Sequence, residues 1–123
     1  MPEWTVEIAP EFEPEILELP AAVRIEFLAQ ARVIERFGPS TGRPRVDTLK
    51  GSKHPNMKEL RFDADGGVWR VAFAFDPERK AILLVAGDKS GRSERTFNRR
   101  LLKIADARFA AHLARLKPGG TAR

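Results

Sequence analysis

The fold is decided by residues 56–89, NMKELRFDADGGVWRVAFAFDPERKAILLVAGDK. Three stretches rich in apolar, branched and aromatic residues (56–62, 68–75 and 81–87) are separated by the turn formers Asp-Gly-Gly and Asp-Pro. Short apolar stretches bounded by such turns are typical of consecutive strands joined by hairpins. The sequence therefore predicts three successive strands in a sheet.

Side chains alternate between the two faces of a strand, which divides each stretch into a core side and an open side. Leu60 and Phe62 share one side of the first strand, while Glu59 and Arg61 share the other. On the second strand, bulky apolar residues alternate with Arg70 and small alanines. Pairing of these strands is expected to put Arg61 and Arg70 on one open face, with the alanines leaving room around them.

Patterns outside these strands predict one more strand, three helices and a long loop. These are a strand at 4–8, a short helix at 14–19, a helix at 20–37, a basic loop at 40–56, and a last helix that begins near Ser93 or Thr96. Segregated helices and consecutive hairpins predict an α+β fold: a mainly antiparallel sheet, two N-terminal helices and one C-terminal helix. At 123 residues, we expect a single domain over 1–117 and a flexible tail over 118–123.

Charge is distributed unevenly along the chain. Residues 1–35 hold eight acidic residues and two arginines, a balance of −6, whereas residues 36–123 carry a balance of +11. A basic region of this kind is either an ordinary solvated surface or a binding surface for a polyanion such as RNA or DNA. Both interpretations stay open on charge alone.

Composition excludes several kinds of site. There is no Cys, and therefore neither a disulfide framework nor a catalytic thiol. Only two histidines occur, His54 and His112, too few for a multi-histidine metal centre, and the acidic residues show no metal-ligand spacing. We therefore predict no metal and no cofactor. The lack of an apolar span and the acidic N-terminus predict a cytoplasmic protein without a membrane partner.

A set of basic residues on the predicted strands and after the third one remains: Lys58, Arg61, Arg70, Lys89 and Arg92. Each one, taken singly, is better explained as a member of a surface ion pair or as a solvated turn residue. Together they suit an RNA phosphodiester, because transesterification requires an aligned 2′-hydroxyl, a stabilised phosphorane charge and the transfer of two protons. Arginines hold phosphate oxygens, and a lysine can protonate the leaving 5′-oxygen. Glu59, His54 and a lysine are all candidates for the general base.

The chain resembles the RelE/ParE superfamily of type II toxin–antitoxin toxins, most closely its HigB-like, phage-derived branch. The resemblance extends over roughly residues 4–116 and is carried by an ordered series of short motifs. These are DTLKGS (47–52), NMKELR (56–61), RVAFAFDP (70–77), AILLVAGDK (81–89), Phe97 and ADARF (105–109).

This resemblance implies a RelE-like fold and a metal-independent endoribonuclease that cleaves mRNA, often on the ribosome, and thereby inhibits translation. It also implies silencing by a cognate antitoxin with a helix-turn-helix domain, so that DNA is contacted only through the antitoxin. Arg70 would stabilise the phosphate, with Lys89 and Arg61 as further catalytic residues. The residues expected to bind RNA are Lys50, Lys53, His54, Lys58, Arg92, Arg95 and Asn98.

One position departs from the family pattern. Relatives frequently carry a tyrosine at the start of the last helix, whereas here Asn98 follows Phe97 and the chain has no Tyr at all. A tyrosine there would stack on a base or assist proton transfer. Two alternatives to the nuclease therefore stay open: a ParE-like gyrase inhibitor without catalytic activity, and an inactive relative that only binds antitoxin or RNA.

Overall fold

The computed structural model of the protein describes residues 4–117, so the predicted tail at 118–123 lies outside the described residues. In chain order the elements are β1 (Thr5–Ile8), α1 (Glu13–Leu17), α2 (Ala21–Phe37), β2 (Val46–Thr48), β3 (Met57–Ala64), β4 (Gly67–Phe75), β5 (Lys80–Asp88) and α3 (Glu94–Leu116). All three predicted helices are confirmed. Ser93 caps α3, because its side chain accepts a hydrogen bond from the backbone N–H of Thr96.

The five strands form one sheet in the order β1-β5-β4-β3-β2. Neighbouring strands are antiparallel except β1, which lies parallel to β5. The predicted α+β architecture with a mainly antiparallel sheet is therefore confirmed. The basic loop at 40–56 contains one short strand, β2, which pairs with β3 at the edge of the sheet.

Helix α2 covers one face of the sheet, the α2 face. Its buried residues are Val23, Phe27, Ala31 and Ile34, spaced so that they fall on a single side of the helix. Leu60 and Phe62 are buried on the same face, opposite the strand partners Val71 and Trp69. The acidic N-terminal third of the chain thus supplies the cover for the hydrophobic side of the hairpins.

Helix α3 covers much of the other face, the α3 face. Ala72 and Ala74 were predicted to leave room on an open face, and this is wrong, because both are fully buried. The same face carries Gly87, where an added Cβ would come within 2.9 Å of the Phe97 ring. Small residues at these positions let α3 pack closely on the sheet, so the space serves the helix.

None of the helices within residues 4–117 is both long enough and apolar enough to cross a membrane.

Candidate active site

Two arginines lie beside each other where α3 begins. Arg61 on β3 is the direct strand partner of Arg70 on β4, and Arg70 in turn is opposite Gly87 on β5. Side chains in such direct pairs have Cβ atoms about 5 Å apart, so two like charges there repel each other. A compensating negative charge is therefore needed nearby.

Glu59 supplies that charge from the same strand face. Its Oε2 accepts hydrogen bonds from Arg61 Nη2 at 2.7 Å and from Arg61 Nε at 3.1 Å. Its Oε1 lies 3.9 Å from Arg70 Nε, and the residue is only 4% exposed. The hydrogen bonding of Arg61 to Glu59, together with the negative charge of Glu59, raises the pKa of Arg61. Glu59 thus holds both guanidinium groups at the surface of the sheet.

Asp47 on β2 extends the cluster to the sheet edge. It is the strand partner of Glu59, and its Oδ2 lies 3.4 Å from Arg61 Nη2. The pKa of Asp47 is lowered by a hydrogen bond from the Thr48 backbone N–H and by the charges of nearby cations that include Lys50. Lys50 is exposed and lies in the turn that follows β2.

The third predicted cation, Lys89, joins from the end of β5. Its backbone N–H donates to the Val68 carbonyl at 2.7 Å, which continues the strand pairing and puts its side chain on the α3 face. Lys89 Nζ donates to Glu94 Oε1 at 2.6 Å. This bond lowers the pKa of Glu94, and the charges of Arg61 and Arg70 lower it further.

We call five of these residues the charged patch: Glu59, Arg61, Arg70, Lys89 and Glu94. Glu94 was not among the residues predicted from the sequence. The signal was present, because Glu94 immediately follows the N-cap of a helix whose residues Phe97 and Leu101 pack on the sheet. A carboxylate in that first turn is brought to the strand ends, where the predicted cations lie.

Three other predicted residues lie near the patch. Arg92 lines a cavity of about 240 Å³ with Gly87 and Phe97, and its charge contributes to the lowered pKa of Asp88, after the hydrogen bonds from Ser90. Asn98 is half-buried one helical turn after Glu94, on the same side of α3. Arg95 is exposed and follows Glu94 directly, so it points to a different side of the helix.

The remaining predicted residues lie away from the patch. Lys58 is on the α2 face, opposite Phe73. With His54 it lines a separate cavity of about 450 Å³ at the other end of the sheet. The rings of His54 and Phe109 pack nearly at right angles, with 5.0 Å between centroids. The backbone N–H of Lys53 donates to Asp106 Oδ2 at 3.2 Å. Their contact with RNA stays a prediction.

Within residues 4–117, no group of three or more His, Asp or Glu side chains is placed to hold a metal ion.

Comparison with known families identifies the chain. The profile described as "Phage derived protein Gp49-like (DUF891)" matches residues 14–110. This chain belongs to the Gp49-like family. This match, together with the two HigB relatives described next, confirms the predicted resemblance to the HigB-like, phage-derived branch.

Curated relatives of this Gp49-like protein include two from Mycobacterium tuberculosis. The putative toxin HigB2 is 48% identical over 90 residues, which cover 72% of this chain and 44% of HigB2. The putative toxin HigB3 is 46% identical over 88 residues, which cover 72% of this chain and 75% of HigB3. The chain thus spans less than half the length of HigB2 and three quarters of HigB3.

Among solved structures, the Gp49-like protein is similar to a mutant of the E. coli toxin RelE in the free state. The TM-score is 0.56, and the match covers 84% of this chain and 96% of the RelE chain. At 13% sequence identity this likeness shows the fold alone. It confirms the predicted RelE-like fold.

Proposed function

We propose that this Gp49-like protein is the toxin of a toxin–antitoxin module and that it cleaves mRNA at the charged patch. The observation that carries the proposal is the pairing of Arg61 and Arg70 across two strands, with Lys89 beside them on a third. Three half-buried cations at one end of a rigid sheet match the spread negative charge of a phosphorane. Their strand positions preorganise them.

Four patch residues have a task in this mechanism. Arg61 and Arg70 bind the non-bridging oxygens of the scissile phosphate, where a guanidinium forms paired hydrogen bonds and stays charged. Lys89 donates a proton to the leaving 5′-oxygen. Glu59 is a positioning residue, because its buried carboxylate orients Arg61 and offsets the repulsion between the two arginines.

The proposed partners follow from the same argument and from the relatives. HigB2 and HigB3 are putative toxins, and a toxin that stops translation has to be silenced by an antitoxin in the same cell. We expect an antitoxin with a helix-turn-helix domain, mRNA on the ribosome as the substrate, and action in the cytoplasm. Contact with DNA would then be made by the antitoxin.

Arg70→Ala tests the proposal directly. Purified protein added to translating ribosomes should produce discrete cuts in mRNA, and the variant should cut about 10²- to 10³-fold more slowly, because one charge donor to the transition state is lost. Arg36→Ala is the matched control, since Arg36 is an exposed arginine on α2, remote from the patch. The Arg36 variant should keep the wild-type melting curve, and circular dichroism at the assay temperature should show that the Arg70 variant is folded.

The mRNA cleavage assay and a gyrase supercoiling assay, run together, separate the alternatives. Intact mRNA together with blocked DNA supercoiling would identify a gyrase inhibitor of the ParE kind. Intact mRNA without an effect on supercoiling would leave a protein that only binds antitoxin or RNA. Equal cleavage by wild type and Arg70→Ala would remove Arg70 from the mechanism.

A further inference from the structure

Transesterification also needs a base that removes the proton from the attacking 2′-hydroxyl. A base has to come within hydrogen-bonding distance of that hydroxyl, about 2.6–3.2 Å. The patch contains two carboxylates, Glu59 and Glu94, and the chain has no tyrosine to take the role. Accessibility distinguishes the two carboxylates.

Glu59 is poorly placed for the task. Its Oε2 is occupied by two N–H groups of Arg61, and its Oε1 is buried and accepts no hydrogen bond from any residue in 4–117. A 2′-hydroxyl could reach it only if the arginines moved away. Those arginines are the groups that have to hold the phosphate, so Glu59 remains a positioning residue.

Glu94 meets the requirement. Its side chain is 69% exposed, and within the described residues it is held only by the 2.6 Å hydrogen bond from Lys89 Nζ. Around it stand Lys89 from β5, Arg70 from β4 and Arg61 from β3, with Glu59 and Asp47 beyond the arginines. The hydrogen bond from Lys89 and these charges lower the pKa of Glu94, which keeps the carboxylate ionised but makes it a weaker base. Its case as the base therefore rests on its exposure and on its position beside Lys89.

We propose that Glu94 is the general base and that it works as a pair with Lys89, the general acid. This inference rests on the proposed nuclease function. It assigns a catalytic role to a residue in the first turn of α3, within hydrogen-bonding distance of its acid partner.

The proton balance of the step closes. As the 2′-oxygen bonds to phosphorus, its proton passes to Glu94; as the bond from phosphorus to the 5′-oxygen breaks, that oxygen takes a proton from Lys89. The products are a 2′,3′-cyclic phosphate and a 5′-hydroxyl. Glu94 is left protonated and Lys89 neutral, and transfer of one proton across their 2.6 Å contact restores both after the products leave.

In-line attack requires the base and the acid on opposite sides of the phosphorus. The bound phosphodiester therefore has to enter between Glu94 and Lys89 and separate them. The exposure of Glu94 allows this, because one hydrogen bond at the surface costs little to open.

A substrate with a modified leaving group distinguishes a base from a residue that only orients Lys89. The probe is an mRNA with sulfur in place of the bridging 5′-oxygen at a mapped cut site, since a thiolate leaves without being protonated. On ordinary mRNA we expect Glu94→Gln and Lys89→Met each to cut about 10²- to 10⁴-fold more slowly. On the sulfur-containing mRNA, Lys89→Met should recover and Glu94→Gln should not.

Glu78→Gln is the matched control. Glu78 is also an exposed carboxylate with a lysine partner, Lys80 at 3.5 Å, but it lies in the turn between β4 and β5 at the far end of the sheet. It should cut both substrates at the wild-type rate.

Three results would overturn the inference. Wild-type cleavage by Glu94→Gln would show that Glu94 is not the base, while leaving the nuclease function intact. Recovery of Glu94→Gln on the sulfur-containing mRNA would show that Glu94 only positions Lys89. A wild-type protein that cuts neither substrate would refute the nuclease function, and the role of Glu94 with it.

Discussion

The two ends of α3 hold polar side chains in opposite ways. At its start, Glu94 is 69% exposed and bonds to Lys89 at the surface. Near its end, His112 Nε2 lies 2.8 Å from Asp76 Oδ2, and both side chains are buried. Asp76 Oδ1 also accepts hydrogen bonds from the backbone N–H groups of Glu78 and Lys80. One pair is open to solvent and the other is sealed in the core.

This difference separates stability from ligand binding. A buried, fully bonded carboxylate fixes the β4–β5 turn against α3, and no ligand can replace its partners without unfolding the turn. An exposed ion pair adds little to stability, and a phosphate can displace one member at small cost. A side-chain hydrogen bond to a carboxylate therefore has a structural role at one end of the helix and a proposed chemical role at the other.

The largest expected effect is that of Asp76→Ala, which tests whether the two ends of α3 differ in their contribution to stability. The change leaves His112 and two backbone N–H groups without their acceptor, so we expect a loss of about 3–5 kcal/mol in the free energy of unfolding. Urea denaturation at neutral pH measures this loss. Glu94→Gln is the control at the open end, and its urea midpoint should stay at the wild-type value. Equal losses of unfolding free energy for Asp76→Ala and Glu94→Gln would show that the two ends of α3 do not differ in this way.

The pH dependence of stability tests the role of Asp88, the last residue of β5, which precedes the loop that leads to α3. Hydrogen bonds from Ser90, and then from the Val68 backbone N–H, lower the pKa of Asp88 below its ordinary value of 3.8. A lowered pKa stabilises the fold above pH 3.8, and this contribution is lost as the pH falls through the folded-state pKa.

Asp88→Asn should therefore destabilise the protein by about 1 kcal/mol at pH 7, and the difference from wild type should shrink below about pH 3.8. Chemical denaturation at pH 7 and at pH 3 provides the two values. A difference that grows toward low pH would show that the carboxylate is not stabilised in the fold.

The smallest expected effect is that of Lys58→Ala on mRNA cleavage. Lys58 and Arg61 lie on one strand but on opposite faces, so the patch should work without Lys58. We expect the variant to cut within about threefold of the wild-type rate, since surface contacts remote from the reacting atoms contribute less than 1 kcal/mol. Arg61→Ala, measured beside it, should lose most of the activity. A comparable loss for Lys58→Ala would mean that RNA also crosses the far end of the sheet.

Local patterns in the sequence were sufficient for much of this structure. Alternation in residues 56–89 gave the three hairpin strands and put Arg61 and Arg70 on one face, as the register confirms. Apolar spacing in α2 identified its buried side. Such features are predictable because the period of a strand or helix depends only on neighbouring residues.

Only the tertiary structure decided which surfaces remain open and which residues meet. Three features depend on where α3 packs and on which face each strand position lies. They are the burial of Ala72 and Ala74, the approach of Glu94 to Lys89, and the separation of Lys58 from the patch. The sequence by itself determined a sheet with paired arginines. Packing of α3 brought a carboxylate to them. Contacts between residues far apart in the chain depend on how whole helices and strands fit together, and local periodicity in the sequence does not determine that fit.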